Sequence, residues 1–443
     1  MLAACLLLLH CESADTATLK PIPRGLIYLG PLGFLDADNT PATFNFPQML
    51  APYPVGIMSA VVLNVAWFQL EPTPGGYNFT FIEDFLAALD QYNSARPAGV
   101  PATVAKLRVM AAAAAPDWVK TFNGTVAPLN ISITVGSKTT IIHIPYFWNT
   151  TVRGDWQRLQ TSLAAAYDSD PRVASVTDTS CMSHTGEPLI IQAGPYNVPN
   201  LLAAGYTDEA YITCLYESWM DYSAWKQTPI DRAFNPFRTL QGGTNSNYTF
   251  APDLMVYWVG VLGPQAILAQ RSLACAPPQN NNTLVLEQFM GTLGYPIHYQ
   301  TCSPYVNWSV IAEALLYNGT ALEVWSTTGG TPGFNAYDAA TLYAWDNELG
   351  YCPNGQNMTT TTSTAYSASA QRPLLTAVTT MLCLWYKVLN PFLNNKEVDQ
   401  VYDRLHEKMN SYALPYLHAS LLSVPTVPEL VYFVLYKKCL FVR

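Results

Sequence analysis

The chain has 443 residues, of which half are hydrophobic and only 12% charged, with a net charge of −9 and a mean hydropathy of +0.10. No basic run or stripe is present, and phosphate neutralisation needs clustered Lys and Arg, so nucleic acid is not an expected partner. The length is ample for one large hydrophobic core.

At the N-terminus, Met1 is followed by an apolar run over residues 2–9 and then by small or polar residues to Ala14. That run matches a signal-peptide core and is too short to span a bilayer, so residues 1–14 are expected to be a cleaved leader. Nine Asn-X-Ser/Thr sequons follow, at Asn78, Asn123, Asn130, Asn149, Asn247, Asn281, Asn307, Asn318 and Asn357. Together with a leader, that density predicts a secreted or cell-surface protein carrying N-linked glycans on its loops. Of the 9 cysteines, Cys5 and Cys11 lie in or beside the leader. The others are read as a few disulfides and one odd thiol. The sequence leaves their pairing open, with Cys181–Cys214 and Cys275–Cys302 among the choices. There is no CxxC spacing and no His pair at ligand spacing, so neither a metal nor a cofactor is expected.

From residue 25 to 326 short apolar segments alternate with amphipathic helices. The expected strands are 25–30, 61–67, 104–110, 173–180, 237–240, 284–289, 297–301 and 321–325. Phe81, Ile82, Phe85, Leu86 and Leu89 form one helix face, and Trp156, Leu159, Leu163 and Tyr167 another, at steps of three and four. Further helices are expected over 208–231, 306–317 and 338–349. Strand–helix alternation of this kind predicts a parallel sheet with crossover helices, and eight strands predict an α/β closed (β/α)8 TIM-type barrel over residues 20–356. One segment breaks the alternation. Residues 131–135 and 139–144 show period-two apolar patterning around Gly136-Ser137-Lys138, the pattern of an inserted β-hairpin in a loop after a barrel strand. Residues 357–372 read as a Ser/Thr-rich linker and 373–443 as a C-terminal helical segment, whose apolar end at 430–436 is too short for a membrane span.

Three glutamates are placed where a parallel barrel carries its chemistry, at or near strand ends. Glu187 follows the fourth expected strand in a Gly-Glu-Pro turn. Glu323 lies inside Ala321-Leu322-Glu323-Val324-Trp325, where a charge is costly unless paired or functional. Glu287 sits in Leu284-Val285-Leu286-Glu287-Gln288-Phe289 with the same logic. Arg108, in another apolar strand, would position a carboxylate or serve as its buried partner. Trp67, Trp118 and Trp325 fall at or just beyond strand ends, where rings can either pack the barrel or stack on a ligand. His184 stands three residues before Glu187, and Glu71 ends the second strand.

Three runs in combination, NVAWFQLEPTPGGYNFTFIEDFLAAL, LRVMAAAAAPDWV and GDWQRLQTSLAAAYDSDPRVASVTDTSCMSHTGEP, resemble the clan-A (β/α)8 glycoside hydrolases of β-galactosidase-like and cellulase-like pattern. The likeness covers roughly residues 55–190, with an echo at ALEVW. It implies an O-glycosyl hydrolase acting on an oligo- or polysaccharide by two carboxylates, with Glu187 matching the acid/base and Glu323 resembling the nucleophile. Trp67, Glu71, Arg108, Trp118, His184, Glu287 and Trp325 would then surround the substrate. Two departures stand out. Gly186 occupies the place of the family asparagine before the acid/base, and Glu323 falls on the eighth expected strand where the family nucleophile ends the seventh. An inactive barrel serving as an extracellular carbohydrate-binding or coat glycoprotein is the alternative. Asn78, Asn123, Asn130 and Asn149 follow expected strands, on the rim a substrate would cross, whereas Asn281 and Asn318 precede expected strands at the opposite face.

Overall fold

The computed structural model describes residues 18–29, 46–50, 53, 55–135, 138–183, 187, 197–235, 237–238, 240, 246–247, 250–273, 281–301, 308–325 and 339–350. The expected leader, the Ser/Thr-rich linker and the 373–443 segment lie outside the described residues.

Eight strands close into a barrel. In chain order they are β1 (Gly25–Leu29), β2 (Met58–Ala66), β3 (Val104–Met110), β6 (Val173–Asp178), β7 (Ile230–Ala233), β10 (Ala266–Leu273), β11 (Ile297–Thr301) and β12 (Ala321–Trp325). Each pairs in parallel with its neighbours in sequence, and β1 pairs with β12 to complete the ring. Between β3 and the next crossover helix stands an antiparallel hairpin, β4 (Leu129–Val135) with β5 (Lys138–Ile144), where period-two patterning predicts it.

Alternation along each strand sorts residues into two sets. Leu63, Val65, Leu107, Val109 and Val176 face the surrounding helices and join the main core, while Ile27, Leu29, Ala60, Val62 and Ala321 form a separate cluster inside the ring. The crossover helix Thr150–Tyr167 shows how the outer layer forms. Asn149 caps it by accepting a bond from the Thr151 N–H at 2.8 Å, and Val152, Trp156, Leu159, Leu163 and Tyr167 are buried at steps of three and four.

Two of the eight expected strands are corrected. The segment 284–289 is helical, within Asn281–Thr292, and the sixth barrel strand is Ala266–Leu273. A short apolar run fits either a buried strand or a buried helix face, and only packing against the ring decides. The helix expected over 208–231 ends at Asp221, and Ile230–Ala233 supplies the fifth strand. Residues 237–240 contribute only β8 (Phe237–Arg238), paired with β9 (Ser246–Asn247) outside the ring. Asn281 therefore opens a helix after the sixth strand and does not precede a strand, whereas Asn318 does lead into β12.

Candidate active site

The interior of the ring is charged. Lys106 on β3 lies 2.8 Å from Asp231 on β7 and 2.7 Å from Glu323 on β12. Arg108, two residues further along β3, meets both oxygens of Glu323 at 2.7 and 2.6 Å and donates to Gln300 of β11 at 3.2 Å. Arg271 of β10 pairs with Asp231 at 2.9 Å. His298 of β11 contacts Lys106 at 3.1 Å and the Pro23 carbonyl at 3.1 Å. Ile27, Lys106, Asp231 and His298 all come from odd-numbered barrel strands, and so do Leu29, Arg108, Ala233 and Gln300 one step nearer the C-terminal mouth. This is the layered filling of a (β/α)8 ring, with ion pairs where branched apolar residues are usual.

The cluster fixes its own protonation. Burial favours neutral Glu323, but Arg108, Lys106 and Arg271 outweigh burial and hold its carboxyl well below the usual range. Asp231 is likewise lowered, against burial, by Lys106 and Arg271. Burial and the Lys106 charge push His298 down to about 3, so the ring is neutral at physiological pH. Glu323 is 2% exposed, ionised and engaged at both oxygens, and its strand is the eighth of the barrel.

Among the described residues, the other expected site residues do not join this cluster. Glu187 is half-exposed in the loop beyond the fourth barrel strand. That loop leaves β6 through Ser180, whose N–H is held by Asp178 at 2.8 Å, and Cys181, which is disulfide-bonded to Cys214 on the helix Asp208–Asp221. Cys275, Cys302 and His184 lie outside the described residues. Glu71 is fully buried and turned inward: it accepts from Trp67 Nε1 and from the Gly75 N–H, each at 2.9 Å, while its carbonyl accepts from Trp118 Nε1 at 3.2 Å. Burial raises its pKa against those two bonds. Trp67 packs edge-on against Trp118 and Trp156 and is 1% exposed, so it offers no open ring face. The cavity beside it, lined by Trp67, Phe147, Arg153, Trp156, Ser180 and Asp221 among others, measures about 20 Å³ and has room for a water but not for a sugar ring. Trp325 ends β12 half-buried, its Nε1 donating to the Thr301 carbonyl at 2.6 Å.

Glu287 is corrected on geometry. It lies in the outer helix Asn281–Thr292 rather than on a strand, fully buried, with neither oxygen hydrogen-bonded. Burial and the neighbouring Glu313 push its pKa up to about 9. A carboxyl raised this way takes up a proton on folding, so stability falls as pH rises from the unfolded value of about 4.5 toward 9. Glu287→Gln is expected to raise stability at pH 7 by up to roughly 3 kcal/mol, with the gain shrinking toward pH 5. Urea unfolding at both pH values measures it, and an equal difference at the two would contradict the assignment.

Reasoning from sequence missed Lys106, Asp231, Arg271 and His298. Lys106 stood in the same apolar run as Arg108 and carried the same signal. Asp231 and Arg271 were hidden because their strands were read as helix or left unassigned.

No family model and no curated protein matches the chain. Among solved structures, the catalytic domain of β-amylase from Paenibacillus polymyxa aligns at 10% identity over 74% of this chain and 100% of that one, with a TM-score of 0.46. An intracellular xylanase from Thermoanaerobacterium saccharolyticum aligns at 12% identity over 72% and 94%, with a TM-score of 0.39. Endo-glycoceramidase II from a Rhodococcus species aligns at 12% identity over 74% and 81%, with a TM-score of 0.41. These structural neighbours are glycoside hydrolases. The closed parallel ring defines the protein as a (β/α)8 barrel, and resemblance at this level adds nothing about chemistry.

Proposed function

We propose that the protein is a secreted, N-glycosylated barrel that acts on saccharides, with Glu187 donating the proton to the leaving oxygen of an O-glycosidic bond. The supporting observation is a half-exposed carboxyl in the loop after the fourth strand of a closed (β/α)8 ring, the face on which such barrels do their chemistry. Asn78, Asn123, Asn130 and Asn318 are exposed, which suits sequons that carry glycans. Glu323 takes a different role in this reading. An attacking carboxylate must reach within about 3–3.5 Å of the sugar carbon, and Glu323 has both oxygens committed to Arg108 inside the ring. It anchors the ionic interior.

Binding without cleavage is the second reading, favoured by that same commitment of Glu323. Turnover of aryl-glycosides and oligosaccharides by wild type and Glu187→Gln separates the two. Loss of a general acid should cut turnover at least about 100-fold, with an unchanged thermal midpoint because the side chain is half-exposed. Equal turnover in the two proteins would remove Glu187 from the mechanism. Saccharide binding with no turnover in wild type would establish the binding reading.

A further inference from the structure

Asn64 shares the inward face of β2 with Ala60 and Val62, one step nearer the C-terminal mouth, and its Cα partner on the neighbouring strand is Arg108. Both amide atoms of Asn64 and the Nε of Arg108 are buried with no hydrogen-bond partner, although the residues are 5% and 3% exposed. Leaving such groups unpaired costs roughly 1–3 kcal/mol each, and two of the three atoms are donors. Trp325 continues the inward series of Ala321 and Glu323 on β12 and packs against the same interior cluster. Its indole nitrogen is already fixed by Thr301, which sets the ring plane and leaves the ring as the part available for contact. Gln300, in the layer of Arg108, is the most exposed polar group of the interior among the described residues. The interior cluster sets three cations, Lys106, Arg108 and Arg271, against two carboxylates, Asp231 and Glu323, an excess of one positive charge.

We propose that the barrel mouth binds an acidic saccharide, whose ring stacks on Trp325 and whose anionic substituent accepts hydrogen bonds from Asn64 Nδ2 and Arg108 Nε. The proposal rests on the reading of the protein as saccharide-binding and names the class of sugar. A carboxylate or a sulfate ester supplies a single negative charge and at least two acceptor oxygens, and each binds donors in a low-dielectric site more strongly than a neutral hydroxyl does. A neutral sugar would leave the excess donors facing a weaker acceptor.

Calorimetric titration of the full chain with methyl glucuronide and methyl glucoside, with a sulfated glucose as a third arm, tests this without requiring turnover. Wild type should bind the glucuronide or the sulfated sugar at least about tenfold more tightly than the glucoside. The anionic arm that binds more tightly identifies the source of the charge. In Asn64→Asp a carboxylate of the same shape stands beside Arg108 in place of the ligand, so the preference for the anion should disappear while thermal stability is kept or raised. Trp325→Ala should weaken acidic and neutral sugars alike and leave the preference intact. No preference in wild type, or an undiminished preference in Asn64→Asp, overturns the inference. Cleavage of neutral glycosides without a preference for the anion would overturn this inference alone. Binding of the anion without any cleavage would overturn only the hydrolase reading.

Discussion

Arg108→Met is expected to destabilise the protein by about 3–5 kcal/mol, the cost of breaking a buried ion pair by removing one partner. Glu323 would keep Lys106 at 2.7 Å but lose both bonds to the guanidinium while remaining 2% exposed. Its carboxyl would rise from its present depressed state, so the deficit should shrink as pH is lowered and protonation relieves the unpaired charge. Removing both partners is a different matter. Arg108→Met combined with Glu323→Met replaces a fully desolvated pair by apolar groups of similar volume, a change that is often neutral or stabilising. Urea unfolding of the two single variants and the double variant forms a thermodynamic cycle. A single-variant loss below about 1 kcal/mol would show that the interior is wetter or more adaptable than its distances indicate.

The second large effect is expected at Cys181–Cys214. The bridge joins the loop after β6 to the helix Asp208–Asp221 across a separation of 33 residues, and the chain-entropy model assigns such a loop about 3–4 kcal/mol. Cys181→Ala combined with Cys214→Ala should lower stability by that amount, and reductant should shift the wild type by more than it shifts the double variant. Cys181 also holds a left-handed backbone with φ of 61°, a conformation a non-glycine residue keeps only when its surroundings enforce it. Loosening it would release the chain six residues before Glu187. On the role proposed for Glu187, the double variant should lose saccharide turnover beyond what its stability predicts, measured well below its unfolding transition. An unfolding midpoint insensitive to reductant would contradict the structural weight given to this bridge.

Much of the barrel was legible in order. Six of the eight ring strands fall where apolar runs and helix faces place them, and the hairpin β4–β5 follows from period-two patterning around Gly136. The two failures share a cause. Leu284-Val285-Leu286 has the composition of a buried strand, yet it lies in a helix that buries Leu286 and leaves Val285 exposed. Ile230–Ala233 carries Asp231 and Arg232, which break the apolar run that would mark it as a strand. Charges inside the ring hid the strand that bears them, because hydrophobic patterning assumes that interior positions are apolar.

The candidate site divides in the same way. Local sequence was enough to identify Glu187 beyond the fourth strand, Arg108 and Glu323 as lone charges in apolar strands, and the sequons that predict secretion. It could not say what those charges face. Arg108 and Glu323 are separated by 215 residues and meet only because closing the ring carries β12 round to β1 and brings their interior layers together. Likewise only the pairing of β2 with β3 sets Asn64 beside Arg108, and only packing places Glu287 on an outer helix. Periodicity is a property of the nearest few residues and survives in the sequence; the partner of a buried charge is chosen by the tertiary fold.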